Sequence, residues 1–363
     1  MNMKILYVIT GLGQGGAERV VCDLADQMFS KGNQVKIVYL TGDAKVKPNN
    51  DIELIGLNLN NLYDFYSCYK SLRKIIISFK PDVVHSHMIH ANLLARLVRL
   101  SCTINKLICT AHSNNEGGKF RMSLYRLTHR LADLTTNVSN NAKRSFELKK
   151  AVPMGEIETI YNGIDLNKYF FRNSARINIK KEFNLSDDTK IFLAVGRFDK
   201  AKDYPTLLNA MNKLKNISNL EFKLLIAGDG ELRSEIENLI LSLHLESNII
   251  LLGHRTDIPE LMSAADLFII SSRYEGFGLV VAEAMACECL VVGTDCGGVA
   301  EILDDENLIA PVSDSLGLSN KINDIMSLNI DIKNKIIEKN KLRVEKYFSL
   351  KEIIKKWENI YNV

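Results

Sequence analysis

Residues 274–283 read Tyr-Glu-Gly-Phe-Gly-Leu-Val-Val-Ala-Glu and contain two carboxylates, Glu275 and Glu283, that are separated by seven residues. The first lies in a Gly-rich loop, and the second lies about one turn into an apolar helix predicted over 279–286. The start of such a helix offers unpaired backbone N–H groups and a positive dipole end, which favour a phosphate. Carboxylates nearby accept hydrogen bonds from sugar hydroxyls. The stretch therefore predicts a pocket for a nucleotide diphosphate-sugar.

Short β-branched runs alternate with longer helical patterns on both sides of this stretch. Strands are predicted at 4–10, 34–40, 83–86, 106–111 and 134–137, and again at 190–195, 223–227, 249–252, 267–270 and 290–293. Helices are predicted at 16–31, 64–79, 91–99, 120–132 and 140–149, and at 204–214, 231–243, 258–264 and 279–286. This alternation is typical of parallel sheets with right-handed crossovers. The predicted fold class is α/β, with two Rossmann-like doubly wound parallel-sheet domains.

The length of 363 residues is natural for two domains. A turn signal at 160–165 predicts the boundary between them. We expect an N-terminal domain at 1–165, a C-terminal domain at 166–345, and a C-terminal helix at 346–363. This last helix contains the only tryptophan, Trp357, and it is expected to cross back and pack on the first domain.

The small net charge of +3 is unevenly distributed along the chain. Residues 1–166 hold 21 Lys and Arg against 14 Asp and Glu, whereas the remainder holds 25 against 29. A basic N-terminal half suits an anionic partner such as a membrane surface, a lipid diphosphate or nucleic acid. Unequal solvated faces are the alternative explanation.

The seven cysteines form no Cys-x-x-Cys pair. Cys287 and Cys289 lie in an apolar segment, where buried free thiols are expected rather than metal ligands. An odd number of cysteines in a large chain fits a reducing cytoplasm. The first residues read as a strand rather than a signal peptide, and no apolar run approaches the roughly 18 residues of a membrane span.

A Gly-rich turn at 11–16 follows the first predicted strand and matches G-x-G-x-x-G. It fits a dinucleotide, a substrate diphosphate, or simply a tight strand-to-helix turn. A dinucleotide site also requires an acid after the second strand, and Asp43 comes somewhat late for that role. A nicotinamide-dependent oxidoreductase is therefore an alternative, but it leaves the two carboxylates of 274–283 without a role.

Two basic residues, Arg197 and Lys202, follow the first strand of the second block. Open α/β sheets bind ligands at this end of their strands, where these cations can neutralise a diphosphate leaving group. A solvated basic loop is the alternative, and Lys200 is the member expected to be solvated. In the next strand-to-helix turn, at 227–231, Asp229 is expected to cap a helix and the turn is expected to form a pocket wall.

His112 ends the fourth predicted strand, where a side chain is expected to face the ligand or to be structural. His85, His87 and His90 suggest a metal, but no acid or cysteine accompanies them, so no metal site is predicted. The segment 119–131 is basic and amphipathic, and it either rests on anionic lipid or forms an ordinary surface helix.

The Glu-x7-Glu spacing, together with Arg197 and Lys202, resembles retaining glycosyltransferases of the GT-B fold, in the large family that includes bacterial lipopolysaccharide and O-antigen enzymes. The resemblance covers nearly the whole chain and implies two Rossmann-like domains facing a central cleft, without a metal or other cofactor. It implies a catalytic set of Glu275, His112, Arg197 and Lys202. It further implies that Arg197 and Lys202 also hold the donor nucleotide. The other donor-binding residues that it implies are Glu283, Gly276, Phe277, Gly278, Leu279, Val280 and Gly228. The acceptor and its diphosphate are implied to lie near Gly13, Gly15 and Gly16.

The implied reaction moves a sugar with retention of configuration through an oxocarbenium-like state, and the departing diphosphate accepts the proton of the acceptor. Within the family, the chain is most similar to O-antigen enzymes that add α-1,3-linked N-acetylgalactosamine to a polyprenyl-diphosphate saccharide. This implies UDP-N-acetylgalactosamine as donor, no nucleic-acid partner, and a cytoplasmic enzyme held peripherally on the anionic inner face of the membrane. An epimerase or hydrolase on the same fold and a non-catalytic binder of nucleotide sugars are the alternatives.

Overall fold

A computed structural model describes residues 2–13, 15–114, 116–218 and 220–362. Gln14 of the Gly-rich turn lies outside these residues. The chain divides into two compact units. Unit 1 comprises Met1–Gly163 with Lys351–Val363, and unit 2 comprises Ile164–Leu350.

Unit 1 is built on a seven-stranded parallel sheet with the order β3-β2-β1-β4-β5-β6-β7. Residues 5–9 of the first strand are fully buried, as expected for a strand covered on both faces by helices. The strands are β1 Lys4–Gly11, β2 Gln34–Thr41, β3 Glu53–Gly56, β4 Val83–His87, β5 Lys106–Ala111, β6 Leu134–Asn137 and β7 Glu158–Thr159. The helices are α1 Gly16–Ser30, α2 Phe65–Phe79, α3 Ile89–Arg99, α4 Gly118–Thr128 and α5 Asn140–Leu148.

Unit 2 repeats the architecture with a six-stranded parallel sheet in the order β10-β9-β8-β11-β12-β13. Its strands are β8 Lys190–Val195, β9 Phe222–Ala227, β10 Ile249–Gly253, β11 Leu267–Ile270, β12 Val291–Thr294 and β13 Ile309–Ala310. Its helices are α6 Ala175–Glu182, α7 Tyr204–Ile217, α8 Arg233–Ser242, α9 Ile258–Ala264, α10 Leu279–Ala286, α11 Val299–Leu303, α12 Ser315–Ser327 and α13 Ile330–Arg343. A π-helical turn at Val344–Phe348 follows α13.

The last helix, α14 Leu350–Asn362, packs within unit 1. The Tyr361 hydroxyl lies 2.6 Å from Nδ1 of His85 on β4, and it is also 3.2 Å from the hydroxyl of Tyr7 on β1. The ring of Trp357 lies 4.5 Å from the His85 ring, measured between centroids. Buried aromatic and polar contacts therefore attach α14 to the middle of the sheet.

The predicted α/β class with two Rossmann-like parallel sheets is confirmed. The prediction omits β3, β7 and β13, of which the last two are only two residues long. The prediction that Asp229 caps a helix is wrong. Helix α8 begins at Arg233, and the Asp229 carboxylate instead accepts from the Gly230 backbone N–H and pairs with the Arg233 guanidinium.

The cysteines are free thiols, and Cys287 and Cys289 are buried, which confirms the prediction for this pair. Across the part of the chain that the structure describes, none of the helices combines the length and hydropathy needed to cross a bilayer.

Candidate functional site

The candidate donor site lies where the strand order of unit 2 reverses. Strands β8 and β11 are neighbours there, and the chain continues from them to opposite edges of the sheet. Their carboxyl ends lead into the loops 196–203 and 271–278, which hold most of the predicted donor residues. Ligands of open α/β sheets bind at such a reversal point.

At the centre of this region, Lys202 and Glu275 form an ion pair. The Lys202 Nζ lies 2.5 Å from Glu275 Oε1, and the Ser272 hydroxyl donates to the same oxygen at 2.8 Å. The two charged side chains are only 21% and 14% exposed. An ammonium and a carboxylate are thus held together in a partly water-excluded position, where their charges act more strongly than in bulk water.

Backbone contacts fix the positions of these two side chains. The Arg273 N–H donates to the Ala201 carbonyl at 2.7 Å, and the Ser271 hydroxyl donates to the Lys202 carbonyl at 2.9 Å. The loops that carry Lys202 and Glu275 are therefore joined by hydrogen bonds, and the ion pair does not depend on side-chain attraction alone.

A second ion pair, between Arg273 and Asp203, braces the same loops. The guanidinium donates from Nε at 2.7 Å and from Nη2 at 3.1 Å to the two carboxylate oxygens, and Asp203 is nearly fully buried. Hydroxyls of Thr206 and Ser313 also donate to Asp203. Burial by itself raises the pKa of Asp203, but these donors outweigh it and hold the pKa below its ordinary value of 3.8.

We expect Arg273→Ala to lower the free energy of unfolding by about 1–2 kcal/mol at pH 7, because the buried Asp203 carboxylate loses its counter-ion. The effect is limited because the Arg273 side chain is 47% exposed, so that water already screens part of the attraction. When folding lowers the pKa of a carboxyl group, the resulting stability is fully present at a pH above the pKa of the unfolded chain. It is lost as the pH falls through the pKa of the folded chain. The difference from wild type should therefore shrink below about pH 3.8. Urea titrations at several pH values measure it. Arg233→Ala, which breaks an exposed pair with Asp229, is the control and should have a much smaller effect. An equal loss in both variants would contradict the bracing role.

Two glycines allow neighbouring backbones to approach closely around the site. A Cβ on Gly228, at φ +151°, would lie 1.9 Å from the Gly196 carbonyl oxygen. A Cβ on Gly297, at φ +55°, would lie 1.7 Å from the Glu275 carbonyl oxygen. Neither position can hold a side chain without moving a loop of the site.

Helix α10 begins at Leu279, directly after this loop. Its N-cap residue, Gly278, has φ +99° and contributes no side chain, so the first turn of the helix is not covered by a capping group of its own. Glu283 lies one turn further along and is half-buried. Phe277 is buried, with its ring 5.5 Å from that of Phe348, and this contact anchors the loop before the helix.

Arg197 does not join the Lys202–Glu275 pair. Its side chain is 70% exposed, and Nη2 lies 3.4 Å from Asp199 in the same loop. The structure thus brings Lys202 and Glu275 together and leaves Arg197 outside them. Gly228 lies against the backbone of Gly196, at the start of the loop that carries Arg197 and Lys202.

The remaining predicted residues belong to unit 1. Gly13, Gly15 and Gly16 form the turn into α1, and the Glu18 carboxylate folds back over it. A Cβ on Gly15 would lie 2.4 Å from Glu18 Oε2. A carboxylate already occupies this turn, so an anion that binds there would have to displace it.

His112 follows β5, and two other side chains fix its position. Its Nε2 lies 3.0 Å from Nδ1 of His87, and its backbone N–H donates to Glu116 at 2.9 Å. The Tyr125 hydroxyl donates to the second oxygen of Glu116 at 2.5 Å. Burial lowers the pKa of His112 to about 4 and raises that of Glu116 to about 7.

Sequence reasoning did not single out several residues that organise these positions. Arg273 lies two residues before Glu275 and Asp203 directly follows Lys202, so proximity to the motif was their only signal. Ser272 and Glu116 lie three and four residues from their partners Glu275 and His112, but no motif marks them. His87 was considered only as a metal ligand, and the strand order brings it to His112. Within the described residues, His, Cys, Asp and Glu side chains form no group of three or more that is arranged to hold a metal ion.

Two known families match the two halves of the chain. Residues 175–343 match the family Glycosyl transferases group 1, and residues 14–168 match Glycosyltransferase Family 4. Each half of the chain therefore matches a glycosyltransferase family. The prediction of a glycosyltransferase with the GT-B fold is thereby confirmed.

Two curated relatives illustrate the range of similar glycosyltransferases. The chain is 26% identical over 365 residues to the N-acetyl-alpha-D-glucosaminyl L-malate synthase of Bacillus anthracis, covering 96% of this chain and 93% of the relative. It is 29% identical over 324 residues to a Campylobacter jejuni enzyme named N-acetylgalactosamine-N,N'-diacetylbacillosaminyl-diphospho-undecaprenol 4-alpha-N-acetylgalactosaminyltransferase, covering 84% of each chain.

Among solved structures, the chain is similar to the Anabaena protein HepE in complex with UDP and glucose. The TM-score is 0.85 at 20% identity, and the alignment covers 100% of both chains. Similarity at this level of identity establishes the shared fold.

Proposed function

We propose that this glycosyltransferase moves a sugar, with retention of configuration, from a nucleotide diphosphate-sugar to a polyprenyl-diphosphate-linked saccharide. UDP-N-acetylgalactosamine is the donor that we favour. The observation that carries the proposal is the Lys202–Glu275 pair at the reversal point of unit 2, directly before the start of α10. This arrangement combines a cation, a carboxylate and the N-terminal turn of a helix that has no side-chain cap.

Each group has a proposed part in donor binding. Lys202 neutralises the diphosphate together with the backbone N–H groups of 276–280. Glu275 accepts hydrogen bonds from hydroxyls of the donor sugar, and Glu283 accepts them from the ribose. Arg197 joins the diphosphate by leaving Asp199, which costs little because the side chain is already exposed.

The proposed reaction depends on electrostatic stabilisation of the leaving group. Negative charge develops on the diphosphate as the bond to the anomeric carbon breaks, and Lys202 and the dipole of α10 are already oriented towards it. The diphosphate then accepts the proton of the acceptor hydroxyl on the same face of the sugar. We propose that this transfer proceeds without a divalent metal ion and without a protein base.

The acceptor is proposed from two observations. The Campylobacter relative is named for a diphospho-undecaprenol acceptor, and the first 166 residues carry an excess of positive charge. A basic surface favours a lipid diphosphate at an anionic membrane. Gly13, Gly15 and Gly16 are proposed to lie near the acceptor, with Glu18 accepting from its hydroxyls.

A donor screen followed by product analysis tests this function. UDP-, GDP- and ADP-sugars are compared by thermal shift, and UDP-N-acetylgalactosamine is expected to stabilise the chain most. The best donor is then offered with and without a diphospho-lipid saccharide, in the presence and absence of a chelator. We expect a new α-linked product that depends on the lipid and is insensitive to the chelator. Sugar release or epimerisation without the lipid would instead indicate a hydrolase or an epimerase.

We also propose that helix α4 contacts the anionic inner face of the membrane. Phe120 and Leu127 are seven residues apart and therefore share one face of the helix, and they are 76% and 80% exposed. Lys119 and Arg126, also seven apart, form an adjacent basic stripe, and Arg130 lies in the short helical turn that follows α4. Exposed apolar side chains beside a row of cations are typical of an interfacial helix.

The membrane contact predicts that the double substitution Phe120→Ser with Leu127→Ser weakens binding to anionic vesicles at least about tenfold in a sedimentation assay, since it removes the inserted apolar surface. Binding to neutral vesicles should be weak in both wild type and variant. Leu241→Ser removes a 54% exposed leucine on α8 and is the matched control. If the control and the double variant bind alike, α4 is not the contact.

A further inference from the structure

His87 and His112 lie at the carboxyl ends of the neighbouring strands β4 and β5. Nδ1 of His87 and Nε2 of His112 are 3.0 Å apart, so one of these nitrogens donates to the other. The second nitrogen of His87, Nε2, is buried and has no hydrogen-bond partner among the described residues. The His87 ring instead packs against aromatic rings, with centroids 4.0 Å from His85 and 5.9 Å from Tyr7.

The direction of the hydrogen bond follows from the isolated nitrogen. Burial lowers the pKa of both His87 and His112, so both rings are neutral and each carries one N–H. If Nδ1 of His87 accepted, the proton of His87 would sit on Nε2, and a buried N–H would have no acceptor. If Nδ1 donates, Nε2 is only a lone pair, which a protein interior tolerates better than an orphaned donor.

We propose that His87 is a positioning residue that donates from Nδ1 to Nε2 of His112 and thereby holds His112 as its Nδ1–H tautomer. The functional consequence rests on the proposed function, in which His112 faces substrate. The nitrogen of His112 that remains for a ligand carries hydrogen, so it donates to a sugar or phosphate oxygen. His112 then cannot serve as a general base, because its Nδ1 already carries hydrogen and the lone pair on its Nε2 accepts from His87.

Different residues control the ring and the backbone of His112. Glu116 accepts from the backbone N–H of His112 and from the Tyr125 hydroxyl, whereas His87 contacts only the imidazole of His112. A substitution at His87 therefore changes the tautomer of His112 while the backbone hydrogen bond to Glu116 remains.

The test is a long-range ¹H–¹⁵N correlation spectrum of the full chain labelled with ¹⁵N-histidine, with His112 assigned by the loss of its signals in His112→Asn. We expect a pyrrole-type Nδ1 and a pyridine-type Nε2 for His112 at neutral pH. His87→Asn places an amide donor near the position of Nδ1 and should preserve this pattern. His87→Leu removes the donor and should convert His112 to a mixture or to the Nε2–H tautomer. His90→Asn, an exposed neighbour on α3, is the control and should change nothing.

An Nε2–H tautomer of His112 in the wild-type chain would overturn the proposal. If His87→Leu fails to fold, the wild-type and His87→Asn spectra still decide the question. In the transfer assay, kcat is expected to fall at least about tenfold in His87→Leu and to recover in His87→Asn, as for the loss of one oriented hydrogen bond. The spectrum is recorded without ligand. A chain with the expected tautomer but no transfer activity would therefore refute the proposed function alone, and an active chain with the other tautomer would refute this inference alone.

Discussion

Replacing Lys202 with Ala is expected to lower kcat by about 30- to 1,000-fold, which corresponds to roughly 2–4 kcal/mol of transition-state stabilisation. The ammonium is already oriented by its 2.5 Å contact with Glu275 and by the hydrogen bonds between the two loops. We therefore expect its charge to act on the leaving diphosphate without reorganisation. The substitution also leaves Glu275, which is only 14% exposed, without its counter-ion.

Steady-state kinetics with the donor found in the screen measure this effect. Lys200→Ala is the matched control, because Lys200 lies two residues away in the same loop and is exposed. It should leave kcat within about twofold of wild type, as expected for a solvated surface charge. Near-wild-type rates in both Lys202→Ala and Lys200→Ala would remove Lys202 from the site, whereas equal losses in both would indicate that the general charge of the loop matters.

Gly297→Ala is expected to have the second largest effect, on both stability and turnover. The backbone conformation at φ +55° costs an L-residue about 1–2 kcal/mol, and the added methyl would lie 1.7 Å from the Glu275 carbonyl oxygen. Relief of that overlap requires the Glu275 loop to move, at a further cost of about 1–3 kcal/mol. A displaced Glu275 no longer meets Lys202 in the same geometry, so kcat should fall at least about tenfold.

Gly253→Ala separates the cost of a positive φ from the cost of the overlap with Glu275. Gly253 also has a positive φ, of +65°, but no atom lies within 4 Å of the position where its Cβ would be built. It should therefore show the conformational cost alone and keep wild-type turnover. Urea unfolding and kinetics of both variants make the comparison. If the two variants were equally stable and equally active, the close approach of Gly297 to Glu275 would be unimportant for stability and turnover.

Much of the fold could be predicted because parallel strands and their helices leave a strong local pattern. Strand 106–111, strand 190–195 and helix 279–286 are found at their predicted bounds. Strands β7 and β13 were missed because two residues carry no periodicity. Asp229 was wrongly predicted to cap a helix, because an acidic residue shortly before a helix resembles an N-cap. Its carboxylate instead accepts hydrogen bonds from the Gly230 backbone N–H and the Arg233 guanidinium.

The candidate site could be predicted residue by residue but not as a set of contacts. The sequence indicates a cation at Lys202 and a carboxylate at Glu275, yet nothing in it shows that they pair across 73 positions. The sequence also does not show that Lys202 lies inward and Arg197 outward, since both residues lie in one basic loop. Asp203 with Arg273 and His87 with His112 are likewise joined only by the order of the strands.

The assignment of α14 to unit 1 has a practical consequence for separate production of the two halves. Unit 2 is one uninterrupted segment, so residues 164–350 can be expressed as a single fragment. Unit 1 is discontinuous, and a truncation after Gly163 would remove Trp357 and Tyr361 and leave Nδ1 of His85 without the Tyr361 hydroxyl. Unit 1 should therefore be expressed as a single chain in which a short linker joins residue 163 to residue 351 and replaces residues 164–350.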